Sequence, residues 1–328
     1  MKKLVSFFGD QSDVFVKLNQ EAEEYAKTKD IEFVWKPQLP FDEEDVISQL
    51  QNADAGLIDV QPYGEPIFSR MGDRCKLLIR FGVGFDAVDL KAASAHGIAI
   101  TRTTGANKTS VAEMAMTQIL ALRRQLFLNR RVMESGVWEK NIAYEMVGKK
   151  VGILGFGNIG VCLAKRLSGF ECEILAYDPY PNLKAAEELG VRFTDMDEIF
   201  RTCDAISVHL PYLPSTHHII NKERFDMMKE NAVIVCTARG NIIDEDDLYD
   251  ALKSGRIGGA GLDVFAQEPL PTDSRLFELE NCILTPHVSS QTYESLWNIY
   301  KKAIDIMDAF YKGEPLGRGD LVNPDYVH

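Results

Sequence analysis

Hydrophobic residues in the first hundred positions occur either in short continuous runs or at every third or fourth position. The runs predict buried β-strands, and the recurring pattern predicts helices that pack against them. The predicted strands span residues 4–8, 32–35, 55–60, 77–81 and 98–101, and two predicted helices span residues 13–27 and 42–51. Alternation of this kind predicts a parallel sheet covered by helices.

A second alternating region begins at Lys150. Its predicted strands span residues 151–154, 173–177, 205–209, 232–236, 260–265 and 282–285. A helical pattern at residues 110–128 precedes this region as a core or domain-linking helix, and another at residues 291–311 follows it. Since the last helix can return to the first domain, we expect an α/β protein with one domain of residues 1–102 plus 292–328 and another of residues 103–291.

Composition narrows the classes of function. The 328 residues are 45% hydrophobic and 26% charged, which is enough for a core without disulfide or metal. A net charge of −13 argues against nucleic acid and anionic membranes as partners. The six cysteines form no CxxC pair, and residues 4–8 are too short for a signal peptide. We therefore expect a cytoplasmic protein whose partners include neither nucleic acid nor a membrane.

A glycine-rich motif follows the predicted strand at residues 151–154 and opens a helical pattern. The motif reads Gly155, Phe156, Gly157, Asn158, Ile159, Gly160. In a dinucleotide site the first glycine permits a tight turn, the second admits a pyrophosphate and the third allows close packing of helix on strand. The free N–H groups and positive dipole end of the helix then bind the phosphates. The motif predicts a dinucleotide-binding domain.

An acidic residue ends the next predicted strand at the position that such a site requires. Asp178 lies 18 residues after Gly160 and would accept hydrogen bonds from the hydroxyls of the adenosine ribose. Its charge would repel a 2′-phosphate, and Pro179 and Tyr180 follow it without an arginine. NAD is therefore favoured over NADP.

Three polar residues follow three late strands, at the edge where a doubly wound sheet binds its ligands. They are Arg239, Glu268 and His287. His287 suits the role of proton donor to a carbonyl oxygen, and Glu268 would orient its ring and favour the imidazolium. Arg239 would hold a substrate carboxylate and polarise the carbonyl. Each residue alone has an ordinary structural explanation, and their shared placement predicts the site.

The remaining histidines compete for this role. His209 ends a predicted strand and is interpreted as lining the cofactor side. His96, His217 and His218 are interpreted as structural.

Together these motifs resemble the D-isomer-specific 2-hydroxyacid dehydrogenases. The resemblance runs from Leu77 to Thr292 and includes residues 80–89, similar to the family's substrate loop, and residues 110–113, similar to the start of its interdomain helix. It continues through the motifs at residues 155–160, 209–216, 239–240, 263–269 and 286–287, in the family's order.

The resemblance implies further roles. The N–H groups of Val83 and Gly84 would bind the substrate carboxylate beside Arg239 and His287. Thr237 and Asp263 would hold the nicotinamide carboxamide. The other implied cofactor contacts are His209, Leu210, Pro211, Thr216, Ala238 and Ser290. A Rossmann-like NAD domain would be inserted in a flavodoxin-like substrate domain, and a homodimer is usual.

Departures from the family pattern bear on the substrate. Met114 stands where many relatives carry histidine, and the chain has no room for the regulatory domain of longer relatives. The substrate-loop spacing resembles the phosphoglycerate, glycerate and hydroxypyruvate branch more than fermentative D-lactate dehydrogenases. Glu268 argues against formate, since formate dehydrogenases of this fold carry glutamine there.

The sequence thus predicts an NAD-dependent oxidoreductase that interconverts a small D-2-hydroxy acid and its 2-oxo acid. Two alternatives stay open: an NAD(H)-sensing binding protein of the same fold, and an enzyme of this fold acting on another substrate such as phosphite.

Overall fold

The computed structural model describes residues 1–326. Its internal contacts divide the chain into two units, one of Met1–Asn107 with the segment from Thr292 onward, the other of Lys108–Gln291. The expected boundary at residue 102 lies five residues before the observed one. Each unit is built around one sheet.

Twelve β-strands lie among the described residues. They are β1 (Lys2–Ser6), β2 (Ile31–Trp35), β3 (Ala55–Ile58), β4 (Leu77–Arg80), β5 (Ala99–Arg102), β6 (Lys150–Leu154), β7 (Glu173–Tyr177), β8 (Arg192–Phe193), β9 (Ala205–Val208), β10 (Val233–Cys236), β11 (Gly259–Leu262) and β12 (Cys282–Leu284).

The same part of the chain forms twelve α-helices. They are α1 (Asp13–Lys27), α2 (Glu43–Gln51), α3 (Glu65–Phe68), α4 (Leu90–Ala95), α5 (Lys108–Arg123), α6 (Leu126–Glu134), α7 (Asn158–Leu167), α8 (Leu183–Leu189), α9 (Met196–Thr202), α10 (Lys222–Met227), α11 (Glu245–Lys253) and α12 (Tyr293–Lys312). Short 3-10 turns lie at Ser168–Phe170, Gly240–Ile242, Arg275–Glu278 and Pro324–Tyr326.

The first unit is a parallel sheet in the order β2-β1-β3-β4-β5, which is the flavodoxin-like order. Neighbouring residues of a strand point to opposite faces, so Leu4 joins a core with α1 and α12, whereas Val5 joins one with α2, α3 and α4. Helix α12 is also tied to α1, because the hydroxyl of Tyr25 donates to Asp305 Oδ1 at 2.7 Å.

The second unit is a parallel sheet in the order β12-β11-β10-β9-β6-β7-β8. The chain runs outward from β6 through β7 to β8 and then returns on the other side, so the order of strands reverses between β6 and β9. Such a reversal is where Rossmann-like sheets bind ligands. The expected class, an α/β protein with two doubly wound parallel sheets, is confirmed.

Two elements of the structure differ from the prediction. The helix predicted at residues 110–128 is interrupted, because Gln125 has a left-handed φ of 50° and separates α5 from α6. The strand β8 was not predicted, since a two-residue edge strand leaves no recognisable periodicity. No helix within residues 1–326 combines the length and apolar character needed to cross a bilayer.

Several predicted strands of the second sheet end earlier in the structure than expected. The residues that follow the observed strand ends form the carboxyl edge of this sheet. Leu154, Val208, Cys236, Leu262 and Leu284 are level with one another across five strands. The residues that follow them make a row along the carboxyl edge: Gly155, His209, Thr237, Asp263 and Thr285. Four of these five are polar and the fifth, Gly155, allows a ligand to approach the backbone closely, which indicates a binding site along this edge.

Candidate active site

The turn from β6 to α7 can be built only with glycine at two positions. Gly155 has a φ of +96°, and a Cβ there would lie 2.7 Å from the carbonyl carbon and oxygen of His209. A Cβ on Gly160 would lie 2.3 Å from the carbonyl oxygen of Gly155. The strand β6, the strand β9 and the start of α7 therefore pack closely because these side chains are missing.

The middle glycine of the motif faces open space. A Cβ on Gly157 would meet no atom within 4 Å, and Gly157 is the extended N-cap of α7. The N–H groups of the first turn, which includes Asn158 and Ile159, lack partners inside the helix, and the dipole favours negative charge there. The pyrophosphate of a dinucleotide fits this position.

Asp178 is held at the tip of β7 by the glycine turn itself. Its Oδ2 accepts a hydrogen bond from the N–H of Phe156 and its Oδ1 from the N–H of Tyr180, each at 2.8 Å. A carboxylate can accept about four hydrogen bonds, so acceptor capacity is left for ribose hydroxyls. The turn and the acidic residue thus form one connected site.

Two polar side chains on the edge row have buried atoms without a protein partner. The ring of His209 contacts Ser207 Oγ through Nε2 at 2.9 Å, while its Nδ1 is buried and unpartnered. Burial lowers the pKa of His209 to about 4, so the ring is neutral at neutral pH. The hydroxyl of Thr237 is likewise buried and unpartnered. Buried polar atoms are normally satisfied, so both suit a bound ligand.

The loop after His209 is held by hydrogen bonds between its own residues. The Oγ1 of Thr216 donates to the carbonyl of Pro211 at 2.7 Å and accepts from the N–H of Leu213 at 2.8 Å. Leu210 is 4% exposed and packs in the core. Thr216 and Leu210 therefore shape this loop, whereas Pro211 is exposed on it.

His287 and Glu268 are in direct contact. The Nδ1 of His287 lies 2.7 Å from Oε2 of Glu268, and the side chains are 46% and 37% exposed. Oε1 of Glu268 accepts the N–H of Phe265 at 3.0 Å. Because an ionised carboxylate only accepts, Nδ1 of His287 is the donor, and Nε2 remains for proton exchange with a substrate.

The charge state of Glu268 follows from this arrangement. Partial burial favours the neutral carboxyl, but the hydrogen bonds from His287 and Phe265 and the charges of His287 and Arg239 outweigh it. The pKa of Glu268 is therefore lowered from its usual value. The carboxylate stays ionised at neutral pH and can stabilise a protonated imidazole.

The loop that carries Arg239 touches the loop that carries Glu268. A Cβ on Gly240 would lie 1.9 Å from the carbonyl carbon of Phe265, so only glycine allows the two backbones to meet. Arg239 is half-buried, and its Nη1 donates to the carbonyl of Ala238 at 2.7 Å. This backbone contact brings the guanidinium of Arg239 and the carboxylate of Glu268 to the same end of the sheet.

His287 has a left-handed φ of 51°, which costs about 1–3 kcal/mol for residues other than glycine. Pro286 precedes it in a tight turn, where the N–H of His287 donates to the carbonyl of Thr285 at 2.9 Å. A conformation of this kind persists only when its surroundings hold it.

Asp263 holds the loop around His287 in this conformation. It is fully buried, and its Oδ1 accepts from Thr285 Oγ1 at 2.6 Å and from the N–H of Val288 at 2.9 Å. Its Oδ2 accepts from the N–H of Ser289 at 2.8 Å and from the hydroxyl of Ser289. All four acceptor positions of the carboxylate are thus used by the loop around His287. Ser290, the next residue, is half-buried.

Helix α5 completes this network with residues that the sequence did not identify as functional. The amide of Gln118 donates to Thr285 Oγ1 at 3.2 Å, and the hydroxyl of Ser110 donates to the carbonyl of Ser289. Gln118 lies on the apolar side of α5, and a polar residue on such a face was the signal that could have identified it.

In the first unit, the loop after β4 carries Val83 and Gly84. Gly82 anchors this loop to the residue after β5: its N–H donates to Thr103 Oγ1 at 3.1 Å and its carbonyl accepts from the N–H of Thr103 at 2.9 Å. Gly82 has a φ of +112°. The other histidines are engaged elsewhere: His96 contacts Glu65, and His218 contacts Asp244.

The site therefore combines a dinucleotide cradle, a histidine backed by an ionised carboxylate and an arginine at one sheet edge. These groups can exchange a proton with, and bind, an anionic carbonyl compound. Within residues 1–326, no group of three or more His, Cys, Asp or Glu side chains is arranged to hold a metal ion.

Comparison with known proteins agrees with this chemistry. Residues 116–289 match the sequence profile of the D-isomer specific 2-hydroxyacid dehydrogenase, NAD binding domain. This match confirms NAD as the expected cofactor. A glyoxylate reductase of Korarchaeum cryptofilum is 33% identical over 302 residues, which is 90% of either chain. A D-3-phosphoglycerate dehydrogenase of Archaeoglobus fulgidus is 33% identical over 284 residues, or 86% of this chain and 54% of the relative.

Solved structures show the same architecture. The D-lactate dehydrogenase of Lactobacillus jensenii with NAD⁺ superposes with a TM-score of 0.83 at 26% identity, covering 98% of this chain and 99% of that one.

Proposed function

Because this chain belongs to the D-isomer-specific 2-hydroxyacid dehydrogenases, NAD-dependent oxidoreductases, we propose that it interconverts a small D-2-hydroxy acid and its 2-oxo acid. The contact between His287 and Glu268 carries this proposal, because it supplies a positioned proton donor at the same sheet edge as the dinucleotide cradle. The same groups serve the reaction in both directions.

Each residue of the site has a distinct task in the proposed reaction. NAD, when bound, supplies or accepts the hydride. Nε2 of His287 gives a proton to the carbonyl oxygen during reduction and takes one from the hydroxyl during oxidation. Glu268 holds the ring through Nδ1 and stabilises its charged form. Arg239 binds the substrate carboxylate and polarises the carbonyl. In the first unit, the N–H groups of Val83 and Gly84 on the loop after β4 are proposed as donors to a substrate carboxylate.

The cofactor is proposed to lie along the edge row of the second unit. The pyrophosphate binds at Gly157, Asn158 and Ile159, and the adenosine ribose binds Asp178. Thr237, with its unpartnered hydroxyl, receives the nicotinamide carboxamide. Asp263 contributes mainly by holding the loop around His287. Further contacts with the cofactor are proposed at Ala238, Ser290, His209 and Pro211.

The proposal is tested by NADH oxidation with a panel of 2-oxo acids that differ in side chain. We expect turnover of at least one small 2-oxo acid, and a kcat/KM with NADPH about 100-fold or more below that with NADH, because Asp178 repels the 2′-phosphate. NADH binding without turnover of any 2-oxo acid would favour a sensing protein instead. Turnover of phosphite alone would favour the other alternative.

We further propose that the chain forms a homodimer through α6 and the segment that follows it. None of the residues of α6 is buried, and exposed apolar side chains continue along this segment. They are Leu126, Phe127, Met133, Val137, Trp138, Ile142 and Val147. An apolar surface of this extent on one unit suits a self-complementary interface with a second copy of the chain.

Sedimentation should therefore show a dimer that dissociates when this surface is charged. We expect the double substitution Trp138→Glu with Ile142→Glu to give a monomer, because both side chains are more than three-quarters exposed and would be buried only in the dimer. Phe277→Glu, an exposed aromatic side chain elsewhere in the second unit, serves as the control and should stay dimeric. A wild-type monomer at micromolar concentration would contradict the proposal.

A cytoplasmic location is also proposed. All six cysteines are free, which suits a reducing compartment. Recovery of the native protein outside the cytoplasm in a cell fractionation would contradict it.

A further inference from the structure

A buried amide lies on the apolar side of α5. Gln118 is 2% exposed, and its neighbours on the helix, Ala115, Ile119 and Leu122, pack in the core on the α5 side of the second sheet. Oε1 of Gln118 is buried and has no hydrogen-bond partner among residues 1–326. An unpaired buried amide oxygen destabilises the folded state, and a leucine at this position would avoid that cost. The contribution of this amide must therefore come from its other end.

Gly261 leaves the space that the amide occupies. This glycine lies inside β11, and a Cβ there would lie 2.8 Å from Oε1 of Gln118 and 3.1 Å from its Cβ and Cδ. A glycine inside a strand and an unpaired amide each weaken the fold, and here the two features meet at one point. Local departures of this kind are expected where a residue serves the function rather than the stability of the protein.

The donor end of the amide is directed at the loop around His287. Nε2 of Gln118 lies 3.2 Å from Thr285 Oγ1, which in turn lies 2.6 Å from Asp263 Oδ1. Because a carboxylate only accepts, the single hydrogen of the Thr285 hydroxyl goes to Asp263. The hydroxyl can then only accept from Gln118, so the NH₂ group faces Thr285 and the amide oxygen faces Gly261. The network thus fixes the orientation of the amide.

The same network holds the loop of the proposed proton donor. The carbonyl of Thr285 accepts the N–H of His287 at 2.9 Å. Asp263 accepts the N–H groups of Val288 and Ser289 at 2.9 and 2.8 Å. These bonds lie on both sides of His287, whose left-handed φ of 51° persists only when its surroundings hold it. A group that orients the Thr285 hydroxyl therefore also acts on the position of His287.

We propose that Gln118 is a positioning residue for proton transfer at His287, and that its amide acts by orienting the hydroxyl of Thr285 toward Asp263. The inference rests on the proposed function and adds a residue to that site. A hydrogen bond donated to a hydroxyl strengthens the bond that the hydroxyl itself donates, so the amide tightens the contact with Asp263. A small displacement of a reacting group lowers the rate strongly, so loss of the amide should appear in kcat rather than in binding.

Gln118→Leu tests this role with a side chain that suits the apolar surroundings. We expect kcat for reduction of the 2-oxo acid to fall about tenfold or more, while KM for the 2-oxo acid and the dissociation constant for NADH change less than about threefold. Tm should stay within about 3 °C of the wild-type value or rise, since an unpaired amide is removed. Thr117→Ala, at an exposed position of the same helix, is the control and should leave kcat unchanged.

Amide hydrogen exchange reports on the loop without an assay of activity. In Gln118→Leu the N–H groups of Val288 and Ser289 should exchange about tenfold faster than in the wild type, because their bonds to Asp263 open more often. The control Thr117→Ala should leave these exchange rates unchanged.

Gly261→Ala displaces the same amide from the opposite side, because its Cβ would meet the amide of Gln118. It should therefore lower kcat as well. In a double-mutant cycle of Gln118→Ala with Gly261→Ala, the double variant should lose no more than the larger single loss, since both changes remove one hydrogen bond.

Three results would overturn the inference: a wild-type kcat in Gln118→Leu, single losses that multiply in the double variant, or a lower Tm with kcat and exchange rates unaltered. Absence of turnover by the wild-type protein with every 2-oxo acid would instead contradict the proposed function. The exchange rates of Val288 and Ser289 would then still show whether Gln118 holds the loop.

Discussion

His287→Ala should lower kcat for reduction of the 2-oxo acid by about 10²–10⁴-fold, the usual contribution of a positioned acid or base. The substitution removes Nε2, the atom that exchanges the proton. The dinucleotide cradle at Gly155–Gly160 lies on another loop of the second unit, so the affinity for NADH should change less than twofold. Steady-state kinetics and titration of NADH fluorescence measure the two effects.

His96→Ala is the matched control, because the ring of this histidine contacts Glu65 and lies in the first unit. It should leave kcat unchanged. A wild-type rate in His287→Ala would show that the proton comes from another group. A loss of NADH binding in that variant would show that the loop around His287 supports the cofactor rather than the chemistry.

Arg239→Ala should raise the KM for the 2-oxo acid by about 100-fold, since charge-assisted hydrogen bonds contribute about 1.5–3 kcal/mol each. A fall in kcat should accompany it, because the carbonyl is no longer polarised. Arg239→Lys should recover only part of the loss, since a single ammonium cannot reproduce the planar fork of donors. The affinity for NADH should be retained.

Arg201→Ala serves as the control for charge. Arg201 is an exposed arginine of α9 that pairs with Asp197 on the same helix. Its removal changes the net charge equally and should leave both constants unchanged. If Arg239→Ala weakened NADH binding and left the KM for the 2-oxo acid unaltered, Arg239 would belong to the cofactor site and the proposed carboxylate contact would be wrong.

The parts of the candidate site that depend on short sequence motifs could be predicted from the sequence. The motif of Gly155, Gly157 and Gly160 with Asp178 follows from the constraints of one turn and one strand end. The structure then shows why Gly155 and Gly160 are needed, in the close approach to His209 and to the carbonyl of Gly155. Arg239, Glu268 and His287 could be proposed because each follows a strand of one parallel sheet.

Contacts between distant segments could not be predicted in this way. Gly240 is required by the backbone of Phe265, which lies 25 residues further along the chain. The resemblance assigned Asp263 to the nicotinamide, yet its buried carboxylate accepts four hydrogen bonds from the loop around His287. Gln118 lies among apolar residues of α5, and its bond to Thr285 links α5 to that loop.

Periodicity and spacing within some tens of residues were enough to predict the α/β class, most strands and helices, and the dinucleotide motif. The tertiary structure was needed to show where strands end and that Asp263 holds the loop around His287. Those properties depend on strand order and on packing between segments far apart in sequence. No local pattern encodes which side chains such packing brings together.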